Sequence, residues 1–126
     1  MDFQCEYCAG AIKLIQKEVG RLNLRLIFKH HPLPSHDWSR KAAREGVCVA
    51  EQSNSEFWNF TNFVFNHQDS LRTETIDAKL GEYFQKTGVD VSLLDSCMSS
   101  AAPDEVLLRD EISAILSECV LLLPCS

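Results

Sequence analysis

The apolar positions of this chain recur mostly at the spacing of an α-helix. In the stretch 9–21, apolar side chains return every three to four residues, and Gly20 stands close to its end. Such spacing puts these side chains on one face of a helix, where they can be buried together. The same period returns five more times, so the sequence predicts six helices, at residues 9–21, 35–52, 54–65, 74–87, 90–97 and 103–118.

One stretch between the first two predicted helices has a different pattern. Residues 23–29, Asn-Leu-Arg-Leu-Ile-Phe-Lys, alternate and then become continuously apolar, and prolines follow at positions 32 and 34. Alternation of this kind is typical of a β-strand, and the prolines prevent regular backbone hydrogen bonding beyond it. The sequence therefore predicts one buried strand that runs into a loop.

Composition and charge indicate a globular protein and argue against nucleic-acid binding and membrane insertion. The chain has 126 residues, of which 45% are hydrophobic and 24% charged, which suits one globular domain with a core. Its formal net charge of -6 opposes binding to a phosphate backbone, so nucleic acid is excluded as a partner. The longest apolar runs, such as 120–124, are far shorter than the roughly 20 residues that span a bilayer. The sequence thus predicts a protein that is not embedded in a membrane.

Six cysteines are more than a typical cytosolic domain of this size carries. They point weakly to an oxidising compartment or to redox chemistry. The start of the chain lacks the basic region and apolar core of an export signal, so the compartment is not read directly from the sequence.

The motif Cys5-Glu6-Tyr7-Cys8 is the main candidate for chemistry. Two cysteines at positions i and i+3 at the start of a helix share one face, and the positive end of the helix dipole stabilises a thiolate on the first. Cys5 is then the attacking or leaving sulfur, and Cys8 resolves the mixed disulfide. Glu6 and Tyr7 lie between them and tune the redox balance, with the charge of Glu6 acting against a thiolate on Cys5.

The motif has two other interpretations. The first is a zinc site, which needs two further ligands. Because no second C-x-x-C or H-x-x-x-H occurs in the chain, this interpretation is the weaker one and we expect no metal. The two cysteines can also simply pack on a helix, because free cysteine is a common buried residue. Seven further cysteines and histidines could serve as ligands by residue type, although each can equally have an ordinary structural role. They are Cys48, Cys97, Cys119, Cys125, His30, His31 and His36.

Three parts of the chain together carry a resemblance to a known family. They are the run 2–8, Asp-Phe-Gln-Cys-Glu-Tyr-Cys; the run 26–33, Leu-Ile-Phe-Lys-His-His-Pro-Leu; and the stretch 42–58, with Ala42-Ala43, Cys48-Val49-Ala50-Glu51-Gln52 and Phe57-Trp58. In this combination the chain resembles the DsbA-type thiol-disulfide oxidoreductases of the thioredoxin superfamily, over residues up to about 116.

The resemblance implies an α/β thioredoxin-like fold with an inserted helical domain. Residues 1–34 would form the N-terminal thioredoxin-like part with the C-x-x-C motif, residues 35–102 the inserted helices, and residues 103–126 a return helix and the start of the C-terminal part. The family also often pairs cysteines within its insert, which would make Cys48 and Cys97 a structural disulfide; two buried thiols are the alternative.

The chain departs from the family pattern in two respects. Glu6 replaces the usual proline between the two cysteines. The flanking strands of the family are missing or altered at both ends, so we expect an incomplete sheet and a helix-dominated chain. Pro124 stands near the place of the family's cis-proline loop, although Leu123 precedes it where the family has threonine.

The resemblance also implies a function. The expected activity is thiol-disulfide exchange with protein substrates through Cys5 and Cys8, without a cofactor, in an extracytoplasmic compartment. The expected partners are protein dithiols or disulfides and a membrane quinone-linked thiol oxidase or reductase. The alternative is a non-catalytic thioredoxin-like module that binds polypeptide.

Overall fold

The computed structural model describes residues 1–121, with side chains described through residue 116. It contains six helices and, among these residues, no β-strand. The helices are α1 (Glu6–Leu22), α2 (Ser39–Gln52), α3 (Asn54–Asn66), α4 (Ile76–Gln85), α5 (Val91–Met98) and α6 (Ala102–Leu121). All six helices predicted from the apolar period are confirmed, with ends that differ by a few residues.

The expectation of an α/β thioredoxin-like fold with an incomplete sheet is wrong. The stretch predicted as a strand, residues 23–29, begins at the C-cap of α1 and continues into residues 24–33, here called the linking segment, which contains neither helix nor turn. Residues 34–38, which contain turns, then lead into α2. Among the described residues, the backbone of the linking segment pairs with a sequence-distant backbone only at Met1, whose amino group donates to the carbonyl of Lys29 and whose carbonyl accepts the N–H of His31, both at 2.7 Å. One such rung is too little for a β-ladder, which needs a neighbouring chain along several residues.

Local side chains fix where several helices begin and end. The hydroxyl of Ser53 accepts the N–H of Glu56 at the start of α3, and the carboxylate of Asp90 does the same for Leu93 in α5. Helix α1 runs past Gly20 and ends at Asn23, whose φ of 54° is left-handed and whose N–H bonds back to Val19. Asparagine tolerates this conformation better than most residues, which explains the stop there.

Helix α2 is the centre of the fold, because α3, α5 and α6 all pack against it. Its buried face is made of small side chains such as Ala42 and Ala43, which allow close approach. At Gly46 a Cβ atom would lie 3.2 Å from the ring of Phe3, so the absence of a side chain there makes room for the N-terminal stretch. The disulfide between Cys48 and Cys97 ties α2 to α5, with a Cα–Cα distance of 5.7 Å.

An aromatic cluster joins the N-terminal residues to the helices. Phe3 stacks on Phe28 of the linking segment with ring centroids 5.3 Å apart, and it also contacts Phe60 and Phe65 of α3 at 5.6 and 5.4 Å. Phe60 in turn stacks on Phe84 of α4. Edge-to-face and offset contacts of this kind are the favoured aromatic geometries. The core is therefore shared by residues from the start of the chain and from the helices that follow.

Candidate functional site

The two cysteines of the C-x-x-C motif lie at the first turn of α1. Cys5 is the N-cap residue, and its Sγ accepts the backbone N–H of Cys8 at 3.4 Å. Both thiols are free and partly exposed. The thiol of Cys5 thus replaces the hydroxyl or carboxylate that usually caps a helix, and it lies at the positive end of the helix dipole.

The two thiols differ in their environment. Burial raises the pKa of the Cys8 thiol above its ordinary value, and the neighbouring Cys5 thiol adds to this increase. The Cys8 thiol is therefore protonated at neutral pH. The residues between the cysteines face solvent, since Glu6 is exposed and Tyr7 is 90% exposed.

The backbone around Cys5 is held by residues from distant parts of the chain. The side-chain amide of Gln68 donates to the carbonyls of Phe3 and Cys5, at 2.8 and 2.9 Å. The backbone N–H of Cys5 donates to the carbonyl of Asp2 at 3.1 Å. These hydrogen bonds fix the backbone conformation of the residues that precede α1. The C-x-x-C motif is therefore held in one position relative to the rest of the fold.

The buried carboxylate of Asp2 organises the same region. It accepts hydrogen bonds from the Ser39 hydroxyl at 2.6 Å and from the backbone N–H groups of Gln4 and Leu33, and it contacts His36 Nδ1 at 2.8 Å. Burial by itself raises the pKa of this carboxyl, but the hydrogen bonds outweigh it and hold the pKa below its ordinary value. The start of the chain is therefore anchored to α2 through an ionised, buried group.

The histidines named from the sequence do not converge on the cysteines. His36 bonds to Asp2, and His30 is buried against Phe3 and Phe57. Burial lowers the pKa of His30 to about 4, although the charge of Asp110 acts in the opposite direction. Within residues 1–116, no group of three or more His, Cys, Asp or Glu side chains is arranged to hold a metal ion.

The structure thus brings some predicted site residues together and separates others. Cys5, Glu6, Tyr7 and Cys8 form one exposed turn, whereas Cys48 and Cys97 are joined in a disulfide elsewhere. Pro124 lies outside the described residues. The sequence analysis missed the anchoring by Asp2 and Gln68, because hydrogen bonds between residues so far apart leave no periodic signal.

None of the helices in the described part of the chain is both long enough and apolar enough to cross a bilayer.

Two curated relatives are similar to this chain. The Na(+)/H(+) antiporter NhaA of Herminiimonas arsenicoxydans is 33% identical over 120 residues, which is 93% of this chain and 18% of the relative. The Na(+)/H(+) antiporter NhaA 1 of Mycolicibacterium gilvum is 31% identical over 98 residues, which is 75% of this chain and 15% of the relative. The chain therefore spans less than a fifth of the length of either relative. No family model and no solved structure matches it.

These findings correct the interpretation drawn from the sequence motifs. The relatives are named as antiporters and the described fold is helical, so the resemblance to DsbA-type enzymes is wrong. The inferences that depended on it, disulfide exchange as the function and a DsbA-like protein disulfide oxidoreductase as the enzyme class, are wrong for the same reason. The alternative of a thioredoxin-like binding module has no support from the fold or the relatives either. Similarity to two Na(+)/H(+) antiporters, over most of this chain, is what the comparisons establish.

Proposed function

We propose that this chain is an accessory helical segment of a Na⁺/H⁺ antiporter of the NhaA kind. The observation that carries the proposal is the 33% identity to the Herminiimonas arsenicoxydans antiporter, which extends over 93% of this chain. A second antiporter, from a different organism, matches three quarters of the chain at a similar identity. Identity distributed over so much of the chain favours a shared segment over a shared short motif.

The segment acts beside the ion-carrying part of such a protein, not as that part. It corresponds to 18% and 15% of the two relatives, which leaves most of each relative to carry the ions. Its surface supports this role, because ion pairs lie on the outer faces of the helices. They are Arg21–Glu18, Lys41–Asp77, Arg40–Asp104 and Arg40–Glu111. Such pairs are typical of surfaces in contact with water.

The thiol turn belongs to this proposal as the reactive site of the segment. Cys5, the N-cap residue of α1 with a partly exposed thiol, is the residue of this turn that reacts, whereas the raised pKa of Cys8 keeps its thiol protonated, and Glu6 and Tyr7 are exposed between them. We place the segment in an oxidising, extracytoplasmic compartment, and the disulfide between Cys48 and Cys97 supports this location.

A segment exchange tests the proposal. In the Herminiimonas arsenicoxydans antiporter, the stretch that matches this chain is deleted, replaced by this chain, or replaced by an unrelated helical sequence of equal length. Sodium-dependent proton exchange is then measured in membrane vesicles. The rate is divided by the amount of antiporter in the membrane, so that a loss of exchange activity is distinguished from a loss of membrane insertion.

We expect the deletion to lower exchange or insertion, this chain to restore it, and the unrelated sequence to fail. The proposal is wrong if the deleted antiporter inserts and exchanges like the parent. It is equally wrong if the unrelated helical sequence restores the deficit as well as this chain does.

A further inference from the structure

A groove of about 660 Å³ runs along the linking segment. The linking segment forms one wall through residues 25–30, and helices α2, α3 and α6 form the remainder. Its lining is mixed, with Val47, Trp58 and Val106 among the apolar side chains and Glu51 and Asp110 among the polar ones. The groove is separate from the thiol turn and from the buried Asp2, neither of which lines it.

The backbone of the linking segment presents an unpaired edge to this groove. Lys29 and His31 bond to Met1 on one side, whereas the N–H of His30 turns the other way and donates to the carboxylate of Asp110 at 2.8 Å. In an extended chain, alternate residues direct their N–H and C=O groups to opposite edges. Leu26 and Phe28 therefore direct theirs to the Asp110 side, where no described residue pairs with them.

The side chains of the linking segment separate into two faces. Leu26 and Phe28 pack against the core. On the other face Arg25 and Lys29 are exposed on either side of Ile27, which is 63% exposed. The ammonium group of Lys29 lies 3.9 Å from the Asp110 carboxylate, a distance that leaves it free to turn towards a ligand. The solvent-facing side chains thus form a row in which an apolar residue lies between two positively charged ones. This row lies next to the open backbone edge.

We propose that this groove binds an extended polypeptide that adds a strand to the linking segment. The ligand has acidic residues two positions before and two positions after an apolar residue, so that they lie beside Arg25 and Lys29 while the apolar residue lies beside Ile27. Its main chain pairs with Leu26 and Phe28, and its alternate side chains enter the groove. This inference is independent of the proposed function.

The charges of the site favour such a ligand over a second copy of this chain. Antiparallel pairing of two linking segments about Ile27 would place Arg25 opposite Lys29, and like charges directly opposite each other are destabilising. Glu51 and Asp110 line the inner side of the groove and repel acidic residues there, which restricts the ligand's acidic residues to its outer face.

The test uses a capped peptide, Ser-Glu-Val-Ile-Val-Glu-Ser, titrated into the chain while amide hydrogen exchange is recorded by NMR. We expect binding to slow exchange at Leu26 and Phe28 by at least about tenfold, because their N–H groups acquire partners. A peptide methylated at its backbone nitrogens should lose binding. A peptide with lysine in place of glutamate should bind weakly.

Two matched charge reversals complete the test. Arg25→Glu should weaken binding by about tenfold or more, whereas Lys17→Glu, which makes the same charge change on an exposed position of α1, should stay within about twofold. Equal weakening by both variants would overturn the proposal, as would binding that leaves Leu26 and Phe28 unprotected or no binding at millimolar peptide. Protection that rises with protein concentration alone would show that a second copy occupies the groove instead.

Discussion

The backbone N–H of His30 donates a hydrogen bond to the carboxylate of Asp110, 2.8 Å away and 80 positions later in the sequence. This bond fastens the linking segment to α6, and both residues are buried. The ammonium group of Lys29 lies 3.9 Å from the same carboxylate and adds a weaker attraction. Asp110 therefore holds together two parts of the chain that line the groove, the linking segment and α6.

Asp110→Ala should destabilise the fold. The substitution removes a buried, charged acceptor and leaves the N–H of His30 without a partner, which costs roughly 1.5 to 3 kcal/mol. Asp110→Asn retains one carbonyl acceptor and should cost less, and Asp95→Ala, on the exposed face of α5, should have little effect. Urea unfolding of the three variants measures the difference. A cost for Asp110→Ala no larger than that for Asp95→Ala would show that the bond does not hold the segment.

The buried His30 should make stability depend on pH. Its pKa is about 4 in the fold because burial disfavours the charged ring, against roughly 6.5 when unfolded. Between these values the unfolded chain binds the extra proton, so stability is complete above pH 6.5 and falls as the pH drops towards 4. One pKa unit corresponds to about 1.4 kcal/mol, so the loss over this range is about 3 kcal/mol.

A histidine substitution separates this effect from the titration of other groups. His30→Phe keeps an aromatic ring among Phe3, Phe28 and Phe57 but cannot be protonated, so it should flatten the stability profile between pH 6.5 and 4. His67→Gln, which removes an exposed histidine, serves as the matched control. Thermal unfolding across this pH range provides the measurement. An unchanged slope in His30→Phe would assign the pH dependence to another group.

The disulfide between Cys48 and Cys97 should contribute strongly to stability. It joins α2 to α5 across 49 positions, and closing a loop of that length lowers the entropy of the unfolded chain by an amount worth about 3 to 4 kcal/mol. The double variant Cys48→Ser/Cys97→Ser should lose about this much in urea unfolding, whereas Cys5→Ser/Cys8→Ser should lose much less. Peptide mapping without reduction checks the pairing, and a link from Cys48 to any other cysteine would contradict it.

The Cys8 thiol of the α1 turn should react slowly with an alkylating reagent. Burial raises the pKa of Cys8, so in Cys5→Ser its alkylation should need a pH above that of an ordinary cysteine. Mass spectrometry after timed exposure to iodoacetamide at several pH values gives the rates. A Cys8 that reacts as readily as a free thiol in an unfolded peptide would show that its environment does not protect it.

The helices could be predicted from the sequence because each encodes its own buried face. In α3, for example, Phe57, Phe60 and Val64 recur at the helical period and are all buried. The absence of a β-strand at residues 24–29 could not be predicted in the same way. The alternation of apolar and polar residues there indicates only which side chains face inward. Whether a neighbouring chain pairs with that backbone depends on distant residues.

The function was misread from short motifs for a similar reason. The cysteine spacing and the residues around His31 and Pro32 describe local chemistry, and a local sequence does not determine the fold around it. The contacts that shape the site are long-range, such as Asp2 with Ser39 and Gln68 with Cys5. No periodicity or spacing within the sequence connects these residues.

The central structural claim is that this chain has a helical fold whose linking segment carries an open backbone edge. Amide hydrogen exchange of the isolated chain, read by NMR at residues 24–30, tests it most directly. We expect the amide of His30, bonded to Asp110, to exchange at least about tenfold more slowly than those of Leu26 and Phe28. Uniformly slow exchange through residues 24–30, with short cross-strand distances between backbone protons, would instead show a paired strand and contradict this account.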